Sequence, residues 1–368
     1  MKIALVVPGG VDRSGEYRVI PALLALLKRL SMHHELHVFA LRQEATPGDW
    51  MLAGAHVHNI GGERTRPRTV IAIMREHRMA PFHVVHSIWS GACGVVAVSA
   101  ARVLRIPSVV HIAGGELIAL PDISYGGRQN WQGRVREAMV LRAASVVTAP
   151  SVPIIEQIAA LGVSAHRVPL SVDLNEWPPR KPVRRDTRER ARLIHVASLN
   201  RIKDQSTLLR AMAVLVSWGM DVHMDIVGED TLNGEIHALA RALGLAGRVE
   251  FHGFVPQRQL RPLVMKAHLM VISSRHEAGP IAMLEAAAVG VPTVGTAVGH
   301  IAEWSPSASV AVPVGDWNEL AAAIRRALAD EDLRLHVAHA AAQRVMGEDA
   351  DYTATQLQSI YRRLTDVG

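Results

Sequence analysis

The sequence predicts an α/β protein built from two doubly wound parallel-sheet domains that face each other across a cleft, residues 1–172 and 173–351. A C-terminal helix over 352–368 is expected to return to the first domain. Three observations predict this. The 368 residues, 49% of them hydrophobic, exceed one ordinary domain of roughly 100–200 residues and suffice for sizeable cores. Short β-rich runs alternate with helical stretches in two successive series. A stretch rich in Pro and Arg, residues 177–192, separates the series as an exposed linker would.

In the first series the apolar runs 3–7, 35–41, 57–60, 84–88, 108–112, 145–149 and 167–170 read as strands. They lack strict alternation, as expected of strands covered on both faces in a parallel sheet. Helical periodicity covers 17–30, 69–78, 92–104, 133–143 and 154–161. The second series gives strands over 193–197, 223–227, 249–254, 269–273, 293–296 and 310–314. Its helices are expected over 205–216, 233–243, 259–266, 281–289 and 319–328. The last helical pattern, 353–364, sets Leu357, Ile360, Tyr361 and Leu364 three and four residues apart in one amphipathic stripe.

Composition narrows the function classes. The single cysteine, Cys93, forbids an intramolecular disulfide or a paired-thiolate zinc site and fits a reducing compartment. The opening MKIALVVPGG has too short an apolar run for a signal peptide, and Glu285, Gly290 and Pro292 interrupt the longest apolar stretch, 281–298. A cytoplasmic location is therefore expected. Residues 1–170 hold 18 Lys and Arg against 11 Asp and Glu, whereas residues 171–368 hold 22 against 23. The basic surplus of the first half suits an anionic partner, either a phosphate-rich ligand or an anionic membrane surface. Nucleic acid is disfavoured, because only 4% of residues are aromatic and no recognition motif accompanies the arginines.

Several chemistries fail on inspection. None of the five lysines stands in a P-loop, and Pro8-Gly9-Gly10 lacks the dinucleotide-binding glycine spacing. Neither H-E-x-x-H nor G-x-S-x-G occurs. Among nineteen histidines the nearest clusters, His33, His34 and His37 or His83 and His86, fall in or beside strands, where neighbours three apart point to opposite faces. They are read as structural, and no metal site is expected. Asp330 with Asp332 and Asp349 with Asp351 precede helical patterns and are read as caps.

The most informative segment runs from Ser273 to Val294. A strand ends near Ser273, a loop carries Glu277, Pro280 suits the first helical position, and Glu285 falls on the first turns of the helix. Both carboxylates would lie near the C-terminal edge of a parallel sheet, the ligand face of such domains. A helix N-terminus there suits a diphosphate, and a carboxylate accepts hydrogen bonds from sugar or ribose hydroxyls. The ligand implied is a nucleotide sugar. A second strand end, 196–205, projects Arg201 and Lys203 toward the same edge, where cations would neutralise a leaving diphosphate.

Together these segments resemble the retaining GT-B glycosyltransferases of family 4, also called group 1. The resemblance rests on the E-x7-E pair Glu277 and Glu285, the G-x-P-x-V strand Gly290, Pro292 and Val294, the L-x-x-x-K element ending at Lys203, and Val172-Asp173, all in the family's order. It implies two Rossmann-like domains and metal-independent transfer without a cofactor. It also implies that Lys203 binds the donor diphosphate, Glu277 the donor sugar and Glu285 the ribose, with phosphate contact from the backbone N–H of Ile281. Arg201 joins Lys203 and Glu277 as a catalytic candidate, and Ser198, Gly279 and Gly299 join the donor site. Gly15, in Ser14-Gly15-Glu16, resembles the family's glycine-rich loop on the acceptor side, where Gly114 and His111 are also expected. The chain departs from the pattern at Ser198 for an arginine, Ala113 for a histidine, Ser171 for a glycine and His300 for the second glycine of a pair.

The expected function is transfer of a hexosyl unit from a UDP- or GDP-sugar to a hydroxyl acceptor on a glycan, lipid carrier or small molecule. The rivals are a catalytically silent sugar-nucleotide-binding protein and another GT-B enzyme such as an epimerase or phosphorylase. Arg64, Arg66, Arg68, Arg75 and Arg78 surround one helical pattern and are expected to give peripheral contact with an anionic membrane at its inner face or with a phosphorylated acceptor.

Overall fold

The computed structural model describes residues 1–366, so Val367 and Gly368, the end of the expected C-terminal helix, lie outside the described residues. The chain divides into two units, residues 1–173 with 348–368, and residues 174–347.

In the first unit an eight-stranded sheet runs in the order β3-β4-β2-β1-β5-β6-β7-β8. Its strands are β1 Lys2–Val7, β2 Glu35–Ala40, β3 Gly48–Leu52, β4 Ala55–Asn59, β5 Val84–Ile88, β6 Ser108–His111, β7 Val146–Ala149 and β8 His166–Arg167. Every pairing is parallel except β3 with β4. The central strands are buried on both faces, as expected of runs in which apolar residues predominate without strict alternation. The helices are α1 Pro21–Leu30, α2 Thr65–Met79, α3 Val95–Leu104, α4 Trp131–Ala143 and α5 Val152–Ala159.

Local chemistry explains where expected and observed bounds part. Pro21 holds Ile20 extended and occupies the first helical position, so α1 begins there instead of at residue 17. β3, absent from the sequence expectation, forms an edge hairpin with β4 across Ala53 and Gly54, both at positive φ. The helix expected from residue 92 starts as a π-turn, Ser90–Gly94, before α3, and follows Trp89 at φ +76°.

The second unit holds a six-stranded, wholly parallel sheet in the order β11-β10-β9-β12-β13-β14. The strands are β9 Ala191–Val196, β10 Val222–Val227, β11 Val249–Gly253, β12 Leu269–Ile272, β13 Thr293–Thr296 and β14 Val310–Val312. The helices are α6 Gln205–Ser217, α7 Glu235–Ala242, α8 Gln257–Lys266, α9 Ile281–Ala288, α10 Gly299–Trp304, α11 Trp317–Ala329 and α12 Glu331–Gly347. Leu193, Leu208, Met212, Met224 and Ile324 are among the residues of one core on a single side of this sheet. The sequence expectation lacked α10 and α12; α12 turns Val337, Ala338, Ala341 and Val345 inward.

The last helix, α13 Ala350–Thr365, belongs to the first unit and packs on α1. Asp349 caps it by accepting from the N–H groups of Asp351 and Tyr352, and Asp330 caps α12 by accepting from Leu333 N–H. Leu357, Ile360 and Tyr361 of the expected stripe are buried, and Tyr361 Oη lies 2.6 Å from His86 Nδ1. The guanidinium of Arg29, 4% exposed, bridges Asp173 at 2.9 Å and Asp351 at 2.7 Å. Arg29→Ala removes a buried cation that bridges two carboxylates and is expected to destabilise the first unit by about 3–5 kcal/mol. Denaturant unfolding of the variant checks this, and a change within 1 kcal/mol would contradict it.

Candidate functional site

In the second unit β9 and β12 are neighbours and run parallel, so the loops that follow them emerge side by side. Two bonds lock loop to loop: Ser273 Oγ donates to the carbonyl of Lys203 at 2.8 Å, and Arg275 N–H donates to the carbonyl of Ile202 at 2.8 Å. Asn200 Oδ1 accepts from Lys203 N–H at 3.1 Å, and Asp204 caps α6 from a left-handed conformation. Beneath them His195, fully buried, is bound to the Val271 carbonyl and to Gln205, and burial lowers its pKa to about 4. Lys203 Nζ reaches Glu277 Oε1 at 2.6 Å, and Ser274 Oγ donates to the same oxygen at 2.6 Å. The side chains of Lys203 and Glu277 are 26% and 12% exposed, so the pair is held yet open to a ligand.

Four residues beyond Glu277 begins α9. Pro280, expected as its first residue, is the extended N-cap and supplies no side-chain bond. The first-turn N–H groups, Ile281 among them, therefore have no cap from that side chain. Glu285, on the second turn, is 4% exposed, and its bond is from Gln257 Nε2 at 2.9 Å. Burial in this apolar helix pushes its carboxyl up to about 8. Gln257 is oriented in turn, because Trp177 Nε1 donates to its Oε1 at 3.0 Å and directs its NH2 at Glu285. Gly299, at φ +49°, lies so near this loop that a Cβ would stand 2.9 Å from the carbonyl oxygens of Glu277 and Ala278.

The structure thus brings Lys203 and Glu277 into contact and sets Ile281 and Glu285 on the helix that follows. Arg201 does not join them: its guanidinium makes an exposed two-bond pair with Glu235 at 2.8 and 3.2 Å. Ser198 is exposed, and its carbonyl accepts from Gln205. Gly279 is half-buried between Ala278 and Pro280.

In the first unit Gly15 turns at φ +68° in an open loop. His111, expected on the acceptor side, is buried within β6, with Nδ1 on Thr148 Oγ1 at 2.9 Å. Gly114 N–H is engaged by Glu116 at 2.6 Å, and the same carboxyl accepts from Ala113 N–H at 3.1 Å and Ser90 N–H at 3.3 Å. Burial raises the Glu116 carboxyl above its ordinary range. Beside it Ser90 Oγ donates to buried Glu137. Sequence reasoning missed Glu116, Glu137, Gln257 and Trp177. The one available signal was the rarity of buried carboxylates, and it becomes visible only once the fold buries them.

Two family models cover most of the chain: "Glycosyl transferase 4-like domain" over residues 15–172 and "Glycosyl transferases group 1" over 180–344. The putative glycosyltransferase EpsF of Bacillus subtilis is 25% identical over 84% of this chain and 83% of its own length. The lipopolysaccharide core biosynthesis glycosyltransferase LpsE of Rhizobium meliloti is 31% identical over 39% of this chain, and the match spans 41% of that relative. Among solved structures, sucrose-phosphate synthase from Thermosynechococcus elongatus superposes over 100% of both chains with a TM-score of 0.81 and 20% identity. Anabaena Alr3699/HepE, in its complex with UDP-glucose, superposes over 98% of this chain and 99% of its own, with a TM-score of 0.76 and 20% identity. These two likenesses concern the fold, which is GT-B.

The raised pKa of Glu285 has a direct consequence for stability. Between its ordinary value of 4.5 and its folded value of about 8, the folded protein keeps a proton that the unfolded chain has lost, so stability falls as pH rises through that window. Between pH 4.5 and 7 the loss is on the order of 3 kcal/mol. Glu285→Gln is expected to remove it, making the unliganded variant more stable than the parent at pH 7–8 and little different at pH 4.5. Thermal unfolding across pH measures this, and parallel profiles would contradict it.

Proposed function

We propose that this chain, whose fold is GT-B, is a glycosyltransferase that moves a hexosyl unit from a UDP- or GDP-sugar to a hydroxyl acceptor with retention of anomeric configuration. The observation that carries the reading is the Lys203–Glu277 contact at the head of α9. A cation, a carboxylate and a helix N-terminus meet at the end of a parallel sheet, the combination a sugar diphosphate requires. The UDP-glucose complex of the structurally similar HepE is in keeping with it.

In this reading the diphosphate lies on the Ile281 end of α9, with Lys203 Nζ turning from Glu277 to share the phosphate charge. Glu277 accepts hydroxyls of the donor sugar and Glu285 those of the ribose. The bond from the anomeric carbon to the diphosphate breaks, and a bond to the acceptor oxygen forms on the same face. The acceptor proton passes to the departing diphosphate. The protein supplies position and charge stabilisation, and the step needs neither metal nor cofactor. Arg201 reaches the diphosphate only after leaving Glu235. Ser198, Gly279 and Gly299 shape the donor loops, while Gly15, Gly114 and His111 support the acceptor side.

A second reading, donor binding without turnover, is favoured by one observation: Ala113 stands where the family has histidine, and its N–H is engaged by Glu116. Nucleotide diphosphate released only when acceptor is present would decide for transfer; donor binding without release over a broad acceptor panel would decide against it.

Among the described residues no helix is long and apolar enough to cross a membrane. Arg64, Arg66, Arg68, Arg75 and Arg78 are all exposed on or beside α2, and Ile71, 49% exposed, shares the face of Arg64, Arg68, Arg75 and Arg78. We assign this face to peripheral contact with anionic lipid at the inner surface of a membrane.

Three outcomes are expected. Lys203→Ala should lower kcat/KM by about 30- to 1,000-fold, equivalent to roughly 2–4 kcal/mol of transition-state stabilisation. A thermal-shift screen of UDP-, GDP- and ADP-sugars should single out the donor, since ligand at 100 times its Kd adds about 2.7 kcal/mol. Unchanged turnover in the variant would overturn the assignment. For the membrane face, co-sedimentation with liposomes should rise with anionic lipid content and fall when Arg68, Arg75 and Arg78 are replaced by Ser; indifference to lipid charge would remove it.

A further inference from the structure

On the edge of the second sheet, away from the donor loops, β10 and β11 bring two histidines and two carboxylates onto one face. His223 and Asp225 alternate along β10, Glu250 and His252 alternate along β11, and the register sets Asp225 beside Glu250. His252 Nε2 lies 2.8 Å from Asp225 Oδ1, His223 Nε2 lies 3.6 Å from the same oxygen, and His223 Nε2 lies 3.9 Å from Glu250 Oε2. One donor atom each from His223, Asp225 and Glu250 falls within 4.8 Å of the others. Donors around one divalent ion, at bonds of about 2.0–2.2 Å, stand roughly 3.0–3.6 Å apart. His223 and Asp225 already stand at such a separation, and Glu250 lies a few tenths of an ångström beyond it from His223.

Charge and access agree. Among the described residues no lysine or arginine is paired with Asp225 or Glu250, so two carboxylates face two imidazoles. The four side chains are 13–61% exposed, which leaves an entry path. The other cluster of ligating types, His37, His58 and Glu76 in the first unit, fails this criterion. There Lys2 Nζ already sits 2.7 Å from Glu76 and 3.2 Å from Glu35, filling the place of a cation.

We infer that His223, Asp225 and Glu250 form a binding site for a divalent metal ion of the zinc type, with His252 holding the Asp225 carboxylate in place. Mixed imidazole and carboxylate donors suit that class. The ion would clamp edge strand β11 to β10. It is a structural site, independent of the transfer chemistry, whose proposed mechanism uses no metal.

The test uses the full chain without a histidine tag, stripped with a chelator and titrated calorimetrically with Zn2+, with Co2+ absorption as a second readout. One equivalent is expected to bind, raising the thermal midpoint reversibly, with the rise abolished by the chelator. His252→Ala and Asp225→Asn should each weaken binding at least ten-fold, and His58→Ala should leave it unchanged. Failure of the parent chain to bind Zn2+ at micromolar concentrations would overturn the proposal without recourse to any variant. So would equal binding in the β10 and β11 variants, or loss in His58→Ala. Should His252→Ala not fold, His252→Gln replaces it under the same criteria.

Discussion

Lys203 and Glu277 are 74 residues apart in the chain and meet because β9 and β12 are adjacent and parallel. A parallel sheet delivers every following loop at one edge, so strand order decides which loops become neighbours. Here the order places the β9 loop against the β12 loop, and two backbone-directed hydrogen bonds fix them before any side-chain charge is considered. The ion pair is thus a product of topology. Were another strand to stand between β9 and β12, the same residues would share the edge without touching.

The consequence is a site whose parts are held at different costs. Lys203 and Glu277 remain partly hydrated and satisfy each other, an arrangement that a ligand can redistribute. Glu285 lies in an apolar helix where ionisation is opposed by burial, and Gln257 is the donor that softens this cost. The loop before α9 therefore presents a partly hydrated carboxylate, while the helix itself holds a second glutamate in apolar surroundings.

The second half of the chain was legible because its signals are local. Strands rich in Val and Ile, Pro280 before a helix, and a Glu set eight residues after another are short-range patterns, and the strands fell within a few residues of expectation. β3 escaped because its run, Gly48–Leu52, mixes polar and apolar residues at a sheet edge and turns through Ala53-Gly54 without an Asn or Asp signal. Side-chain partnership was not legible. Arg201 has the right spacing to flank Lys203, yet Glu235 on α7 claims it, a fact that depends on where α7 packs. His111 has the right strand position, but Thr148 on the neighbouring strand takes its ring into the interior. Both are long-range outcomes that spacing does not encode.

The hydrogen bond from Trp177 to Gln257 bears on a residue neither of them resembles. An amide has two faces of nearly equal shape, and only the indole N–H tells Gln257 which way round to sit. With phenylalanine at position 177 the amide would be at liberty to turn, and its oxygen would then confront the oxygen of Glu285. Trp177 thereby sets the polarity of the contact that buried Glu285 makes, without touching that carboxyl itself.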